Sequence, residues 1–341
     1  MTIIHRLPRP APQAAAPFTA ALLAALLLAA LLFAVSPRPA LAQPYPERPV
    51  RIIVPYGQGT ALDVAGRFLA DRLSARWKQP VIIENKVGAS GIIGTEAVAR
   101  AAADGYTLLF TSSGHVSNAT AYAKLPYDPL GDFRPIVQAG ASYLVLVVPK
   151  SSPVGSVDEL LRYLQARPGQ VNYGSAGTGN MTHLAGQQLA IAAGVPANAI
   201  QYKTHPQALM DTLSGQVFMT FVGLATAAPH IQSGAVKALA VSGPRRSQSL
   251  KDVPTLIESG LKDTEIISKF YLLGPAKLPR AIVDKVSADV LDIVRSDEFA
   301  QFTLQQGLER DAATADELAV KLPQEQALWA RMLRSAGVTP Q

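Results

Sequence analysis

Residues able to do chemistry gather in short Gly/Ser/Thr segments of this chain. Pro55 to Arg67 (PYGQGTALDVAGR) and Tyr173 to His183 (YGSAGTGNMTH) each place glycines and hydroxyls between an apolar run and the start of a helical pattern. Ser175 and His183 come nearest to a nucleophile with its base. Eight residues apart across a loop and helix start, they could meet, but no third group that would orient the imidazole is evident. A hydrolase elbow G-x-S-x-G around Ser175 fails because position 173 is Tyr. Neither Gly57/Gly59 nor Gly177/Gly179 is followed by the Lys of a phosphate loop, and a dinucleotide fingerprint begun at Gly57 or Gly177 breaks at Leu62 or Thr182. His115, His183, His205 and His230 show no metal-binding spacing, and a chain without cysteine has few ligands to offer zinc. Non-covalent chemistry remains. A loop leading into a helix offers unpaired backbone N–H groups carrying about half a positive charge, which suits an anion.

The elements that position these loops follow from periodicity. VRIIV (50–54), PVIIEN (80–85) and YTLLFTS (106–112) read as strands, with helical patterns over 63–77 and 94–103 between them. That order is βαβαβ, which predicts a parallel sheet with helices on its faces. After YLVLVVP (143–149) a second series follows. Helical patterns at 156–167, 181–194 and 205–215 alternate with strands at 170–177, 199–203, 217–222 and 236–243, and HIQSG (230–234) reads as a short turn. The two series share one plan: a strand, a Gly/Ser/Thr loop, a helix, and a second strand ending in Lys86 or Lys203. Each loop lies at the carboxyl end of its strand, where open α/β sheets bind ligands, so two such loops facing each other would clamp an anion. Asp63 would repel that anion if exposed, so its expected role is structural, as a helix N-cap or first-turn residue.

Residues 1–42 combine a basic start (Arg6, Arg9), an apolar segment from about Pro17 to Val35, and Ala40-Leu41-Ala42, the small-x-small pattern of a cleavage site. They read as a secretory signal cut before Gln43. Pro37, Pro39 and the A-L-A favour cleavage over a membrane anchor. Removal takes away three arginines and no acidic residue, lowering the formal charge from +6 to +3 over the remaining 299 residues. That chain is only mildly basic and has no basic run with interleaved aromatics, so nucleic-acid binding has little support. It has the length of two domains, and nothing after Gln43 is apolar for long enough to cross a bilayer.

The chain from Tyr45 to Val338 resembles the periplasmic solute-binding receptors of the tripartite tricarboxylate transporter, or Bug, type. The matching segments, in order, are YPERPVRIIVPY (45–56), VIIENKVGASGIIGTEAVARAAADGYTLLF (81–110), LPYDPLGDFRPI (125–136), NYGSAGTGNMTHLAG (172–186), PHIQSGAVKALAV (229–241) and DVPTLIESGL (252–261). The resemblance implies a two-lobed α/β fold of the type II periplasmic-binding-protein class. Each lobe would be a mostly parallel sheet flanked by helices, the two joined by two crossover strands. Residues 43–146 with 269–341 would form lobe 1, and 147–268 lobe 2.

The same resemblance implies the site. The family's first-lobe loop P-F-P-P-G-G-x-x-D falls on Pro55 to Asp63, so Tyr56, Gly57, Gln58, Gly59 and Thr60 would face the cleft. Gly57-Gln58 replaces a double proline, which leaves the loop less preorganised. Ser175, Ala176, Gly177, Thr178, Gly179 and Asn180, with His183, would form the second-lobe wall, and Thr111, Ser112, Ser113 and His115 a third. Two departures concern charge. Gly215 to Val222 lacks both carboxylates of the family's G-Q-V-D-x-M-F-D, one of them at Val222, and Lys269 stands where an aromatic is common. If Lys269 faces the cleft, both changes move it towards positive; the other reading sends Lys269 to solvent. The expected protein is a periplasmic monomer without cofactor or metal, not membrane-embedded, that closes by a hinge on a small organic carboxylate and delivers it to membrane transporter subunits. A sensory adaptor for a membrane kinase and a Ser175/His183 hydrolase are the alternatives.

Overall fold

The computed structural model describes residues 45–261 and 264–340, and the signal segment 1–42 lies outside them. The apolar runs form the strands β1 (Val50–Val54), β2 (Val81–Asn85) and β3 (Thr107–Ser112), with β1 central and parallel to both neighbours. Ile52 is registered with Ile83 on one side and Leu108 on the other. Helix α1 (Ala61–Trp77) starts two residues before Asp63, because Thr60 is its N-cap and accepts from Asp63 N at 3.3 Å. A single 3-10 turn at Ala89–Gly91 leads into α2 (Ile92–Ala99). Helix α3 (Gly114–Ala121) follows β3 directly; its sequence, GHVSNATA, carries no apolar periodicity.

The second series gives α4 (Val157–Gln165), β5 (Asn172–Ser175), α5 (Met181–Ala193), β6 (Asn198–Gln201), α6 (His205–Leu213), β7 (Met219–Gly223), α7 (Leu224–Gln232) and β8 (Val236–Val241). Here β5 is parallel to β6 and β7. The segment read as a turn at 230–234 begins inside α7, where Pro229 makes the pattern look broken.

The 17-residue strand β4 (Phe133–Pro149) joins the two halves. Its residues 133–143 pair antiparallel with β9 (Ile267–Pro275), and residues 144–147 pair with β7. The resulting order is β2-β1-β3-β9-β4-β7-β5-β6, with β8 and β10 (Glu309–Ala313) also on β4. The fold is thus two-lobed α/β. Parallel strands form the outer part of each lobe, and the strands that cross between lobes and return add antiparallel pairs. Ser242 ties the crossings together: its Oγ accepts from Leu144 N at 3.0 Å and donates to Ile266 O at 2.6 Å.

After β9 the chain forms α8 (Arg280–Arg295), α9 (Asp297–Gln306), β10 and α10 (Ala315–Ser335). A capping box opens α10: Thr314 accepts from Glu317 N, and Glu317 accepts from Thr314 N. Leu318, Leu322, Trp329, Met332 and Leu333 bury one face of α10 in the core, where the helix packs on α3 and β4. Among the described residues no helix is long and apolar enough to cross a membrane.

Candidate ligand-binding site

Strand ends and helix starts from both halves converge on one cavity of about 420 Å³. The end of β1 contributes Tyr56, and the end of β3 with the start of α3 contributes Ser112, Ser113 and Gly114. The β5–α5 loop contributes Ala176, Gly177, Thr178, Gly179 and Asn180. Of the positions expected at the cleft, these eight besides Gly114 line it.

The loops are shaped by their own hydrogen bonds. Asn180 caps α5 by accepting from Thr182 N at 3.1 Å, and Thr182 Oγ1 accepts from Ala176 N at 2.9 Å. His183 is buried under the loop, where its Nδ1 accepts from Gly179 N at 3.3 Å; burial lowers its pKa and keeps it the neutral acceptor this bond requires. The N–H groups of Gly177 and Thr178 meet no acceptor among the described residues. Across the cavity the start of α3 has no side-chain cap. Ser113, in the N-cap position, instead directs its Oγ to Ile267 O and accepts from Lys269 N at 2.9 Å. The Tyr56 hydroxyl stands over that helix start, receiving Ser112 Oγ at 3.4 Å. Position 114 must be glycine for this approach, since a Cβ there would collide with the phenol oxygen. Burial raises the pKa of Tyr56, against smaller opposing effects of Ser112 and Thr111, so it stays a neutral donor.

The remaining expected positions lie elsewhere. Of the first-lobe loop only Tyr56 reaches the cavity. Gln58, Gly59 and Thr60 are exposed, and Gly57 accepts from Thr60 Oγ1 at 2.9 Å in a local turn. Asp63 organises that turn from within, as a first-turn residue 2% exposed. It accepts from Gly59 N at 2.9 Å, Arg67 Nε at 3.0 Å and Asn85 Nδ2 at 2.8 Å. Burial raises its pKa, but these bonds outweigh burial and hold it below the usual value. Thr111 is buried on the strand face opposite Ser112, as alternation requires. His115 is a core residue: it meets Phe133 edge to face at 4.7 Å, and its Nε2 donates to Pro129 O at 2.7 Å. Ser175 donates to Gly177 O at 3.3 Å and has no hydrogen bond with His183 among the described residues; His183 Nδ1 is taken by Gly179 N instead.

Neither charge departure acts inside the cavity. Val222 is fully buried among apolar neighbours and paired with Val145, and Phe218, the other lost acid, stacks on Tyr163 at 4.4 Å. Lys269 is outside the lining and takes neither of the orientations expected for it: its ammonium lies 3.6 Å from Glu325 and 3.7 Å from Glu265. Glu325 also accepts from Tyr271 and Trp329. Burial, then Glu325, pushes the pKa of Tyr271 well above the usual phenol value.

Sequence reasoning missed the rest of the wall: Ser90, Ser117, Asn118, Ala121, Tyr122, Met181, Ser268, Trp329, Leu333 and Val338. Ser90 sits at φ 53° in the 3-10 turn, a costly conformation for a non-glycine residue and one that marks functional segments. The G-A-S-G around it was the available signal. For Trp329 and Leu333 no local motif exists, because α10 reaches the cavity only through tertiary packing.

Residues 65–338 match the family described as "Tripartite tricarboxylate transporter family receptor". Among curated proteins, the chain is 32% identical to Protein BugT of Bordetella pertussis over 301 residues, covering 88% of this chain and 92% of that one. Among solved structures, an R. palustris protein with adipate is similar at 31% identity and TM-score 0.75, covering 87% of this chain and all of that one. The periplasmic binding protein BugD is similar at 33% identity and TM-score 0.71, with 87% and 100% covered. MatC from Rhodopseudomonas palustris with bound malate follows at 26% and 0.68, with 85% and 100% covered.

Proposed function

The chain belongs to the tripartite tricarboxylate transporter receptor family, and we propose that it captures a small organic carboxylate in this cavity and hands it to the membrane subunits of such a transporter. One observation carries the reading. The unpartnered N–H groups of Gly177 and Thr178 and the uncapped start of α3 border one cavity, from opposite halves of the fold. A carboxylate placed between them exchanges its hydration for backbone donors aligned with two helix starts, and Tyr56 adds a neutral hydroxyl. The adipate and malate of the two similar structures support the same ligand class.

In this reading lobe 1 is 43–146 with 269–341 and lobe 2 is 147–268. The change of partners along β4 between Tyr143 and Leu144 supports a hinge close to that boundary. Closure is favoured by contacts that exist only when both loops hold the ligand. The mature chain is a periplasmic monomer released before Gln43, and it breaks no bond. Mass spectrometry of the exported protein should find Gln43 at or within a few residues of its N-terminus. A thermal-shift screen against a carboxylate panel tests the binding itself. A ligand at about 100 times its Kd adds about 2.7 kcal/mol of stability, and the absence of any shift across the panel would refute the reading.

A further inference from the structure

We infer that the groove between the segment after β8 and the α8–α9–β10 segment docks an acidic, extended stretch of a partner protein. This groove shares no residue with the cavity between the loops, and the inference stands apart from the carboxylate reading.

Charge sets the sign of the partner. Arg245 and Lys251 follow β8, Arg295 ends α8 and Arg310 lies in β10, and all four border one groove of about 610 Å³. None of them makes an ion pair with a carboxylate among the described residues, whereas Arg72 and Arg76 of α1 and Arg280 of α8 are each held by Glu or Asp. Unpaired cations around one concave surface repel one another, and an acidic partner relieves that repulsion. Glu309, the acid in the lining, does not cancel them: it is 2% exposed, and burial raises its pKa against smaller opposing effects of Ser247 and Arg245.

Shape sets the form of the partner. Glu309, Arg310 and Ala312 of β10 line the groove, and among the described residues β10 pairs with β4 alone. An open strand edge accepts an extended chain. Val294, Leu304 and Leu308 add apolar surface to the same groove, and Leu304 is 50% exposed, so a segment that carries acidic and apolar side chains fits both. A flat layer of lipid headgroups matches neither the concavity nor the strand edge.

The walls are held before any partner arrives. Arg245 Nη2 donates to Arg310 O at 2.7 Å and joins the two sides. Arg246 pairs with Glu258 and donates to Lys251 O at 3.3 Å. Gly307, at φ 61°, brings the α9–β10 turn so close to the start of α7 that a Cβ there would lie 2.8 Å from Ala225 N. A preformed groove keeps the ordering cost of docking low.

Fluorescence anisotropy of the mature protein with a labelled peptide of about ten residues, alternating Glu and Ser with Leu at its centre, tests the inference. The peptide should bind, and its counterpart with Gln in place of Glu should bind at least about tenfold more weakly. Lys251→Glu combined with Arg295→Glu should weaken binding of the acidic peptide by about tenfold or more. Lys321→Glu combined with Arg331→Glu makes the same change of net charge on α10 and should cost less than about threefold. All four side chains are exposed, so both variants should fold, which circular dichroism checks; the Gln peptide reads the charge dependence on the wild type in any case. Equal losses in the two variants would mean that net charge alone draws the peptide, and failure of the folded wild type to bind it would overturn the inference outright. Binding to phosphatidylglycerol vesicles that the groove variant abolishes and the peptide does not displace would make this a lipid site instead. A wild-type dimer in sedimentation that the groove variant dissociates would put a second copy of this chain in the groove, and either result would overturn the inference.

Discussion

Lys269 shows how strongly a partner decides what a charge can do. Its ammonium lies between Glu265 and Glu325, and Glu325 is only 6% exposed, so the pair belongs to the packing of α10 on β9. Lys269→Met should leave Glu325 without its counter-ion and lower stability by on the order of 2 kcal/mol. Affinity for a monocarboxylate and for the matching dicarboxylate should fall equally, if at all. Calorimetry on both ligands reads this directly, and a loss confined to the dicarboxylate would put Lys269 back in the site. His115 gives a pH dependence. Burial lowers its pKa from 6.5 to about 4, so folding excludes a proton that the unfolded chain binds. Its contribution to stability is complete above about pH 6.5 and is lost as pH falls towards 4, at up to about 1.4 kcal/mol per pH unit. His115→Phe should be less stable at neutral pH, because Pro129 O loses its donor, yet show a shallower acid limb. Urea unfolding at several pH values between 7 and 4 would show it, and parallel limbs would contradict the assignment. Sequence named His115 from its place after β3, but it could not show that α3 turns the ring inward against Tyr127 and Phe133.

The most legible elements were the two strand-loop-helix units, because their strands, turn residues and caps are all local signals. The β5–α5 loop falls where its sequence indicated, and five of its residues line the cavity. Thr178→Pro removes one of its two unpartnered N–H groups and should weaken carboxylate binding by about 1.5–3 kcal/mol with little change in melting temperature. Unchanged affinity in the folded variant would mean that this loop does not hold the anion. The β1–α1 loop was only partly legible. The family's first-lobe motif fell on it, but the hydrogen bond from Gly59 N to Asp63 draws that end of the loop towards α1 and leaves Tyr56 as the residue that enters the cavity. Helices α3 and α7 were hidden for opposite reasons. The first has too few apolar residues to show a period, and the second contains Pro229.

On the scale of the whole molecule, the site depends on contacts between distant parts of the chain. β4 belongs to both halves, Ser242 binds the outgoing and returning crossings, and α10 comes back to place Trp329 and Leu333 beside loops more than 140 residues earlier. None of this has a local signature, which is why the apolar wall had no counterpart in the sequence motifs. A different groove also offers positive charge, lined by Arg245, Lys251, Arg295 and Arg310 on the α8–α9 side. An anion drawn by charge alone would favour it; one drawn by aligned backbone donors would not. A crystal structure of the mature protein with the tightest carboxylate from the thermal-shift panel separates the two. The carboxylate is expected within hydrogen-bond distance of Gly177 N or Thr178 N and of the first turn of α3, with the Tyr56 hydroxyl beside it. Density for the ligand in the arginine-lined groove, with the cavity between the loops unoccupied, would contradict the account.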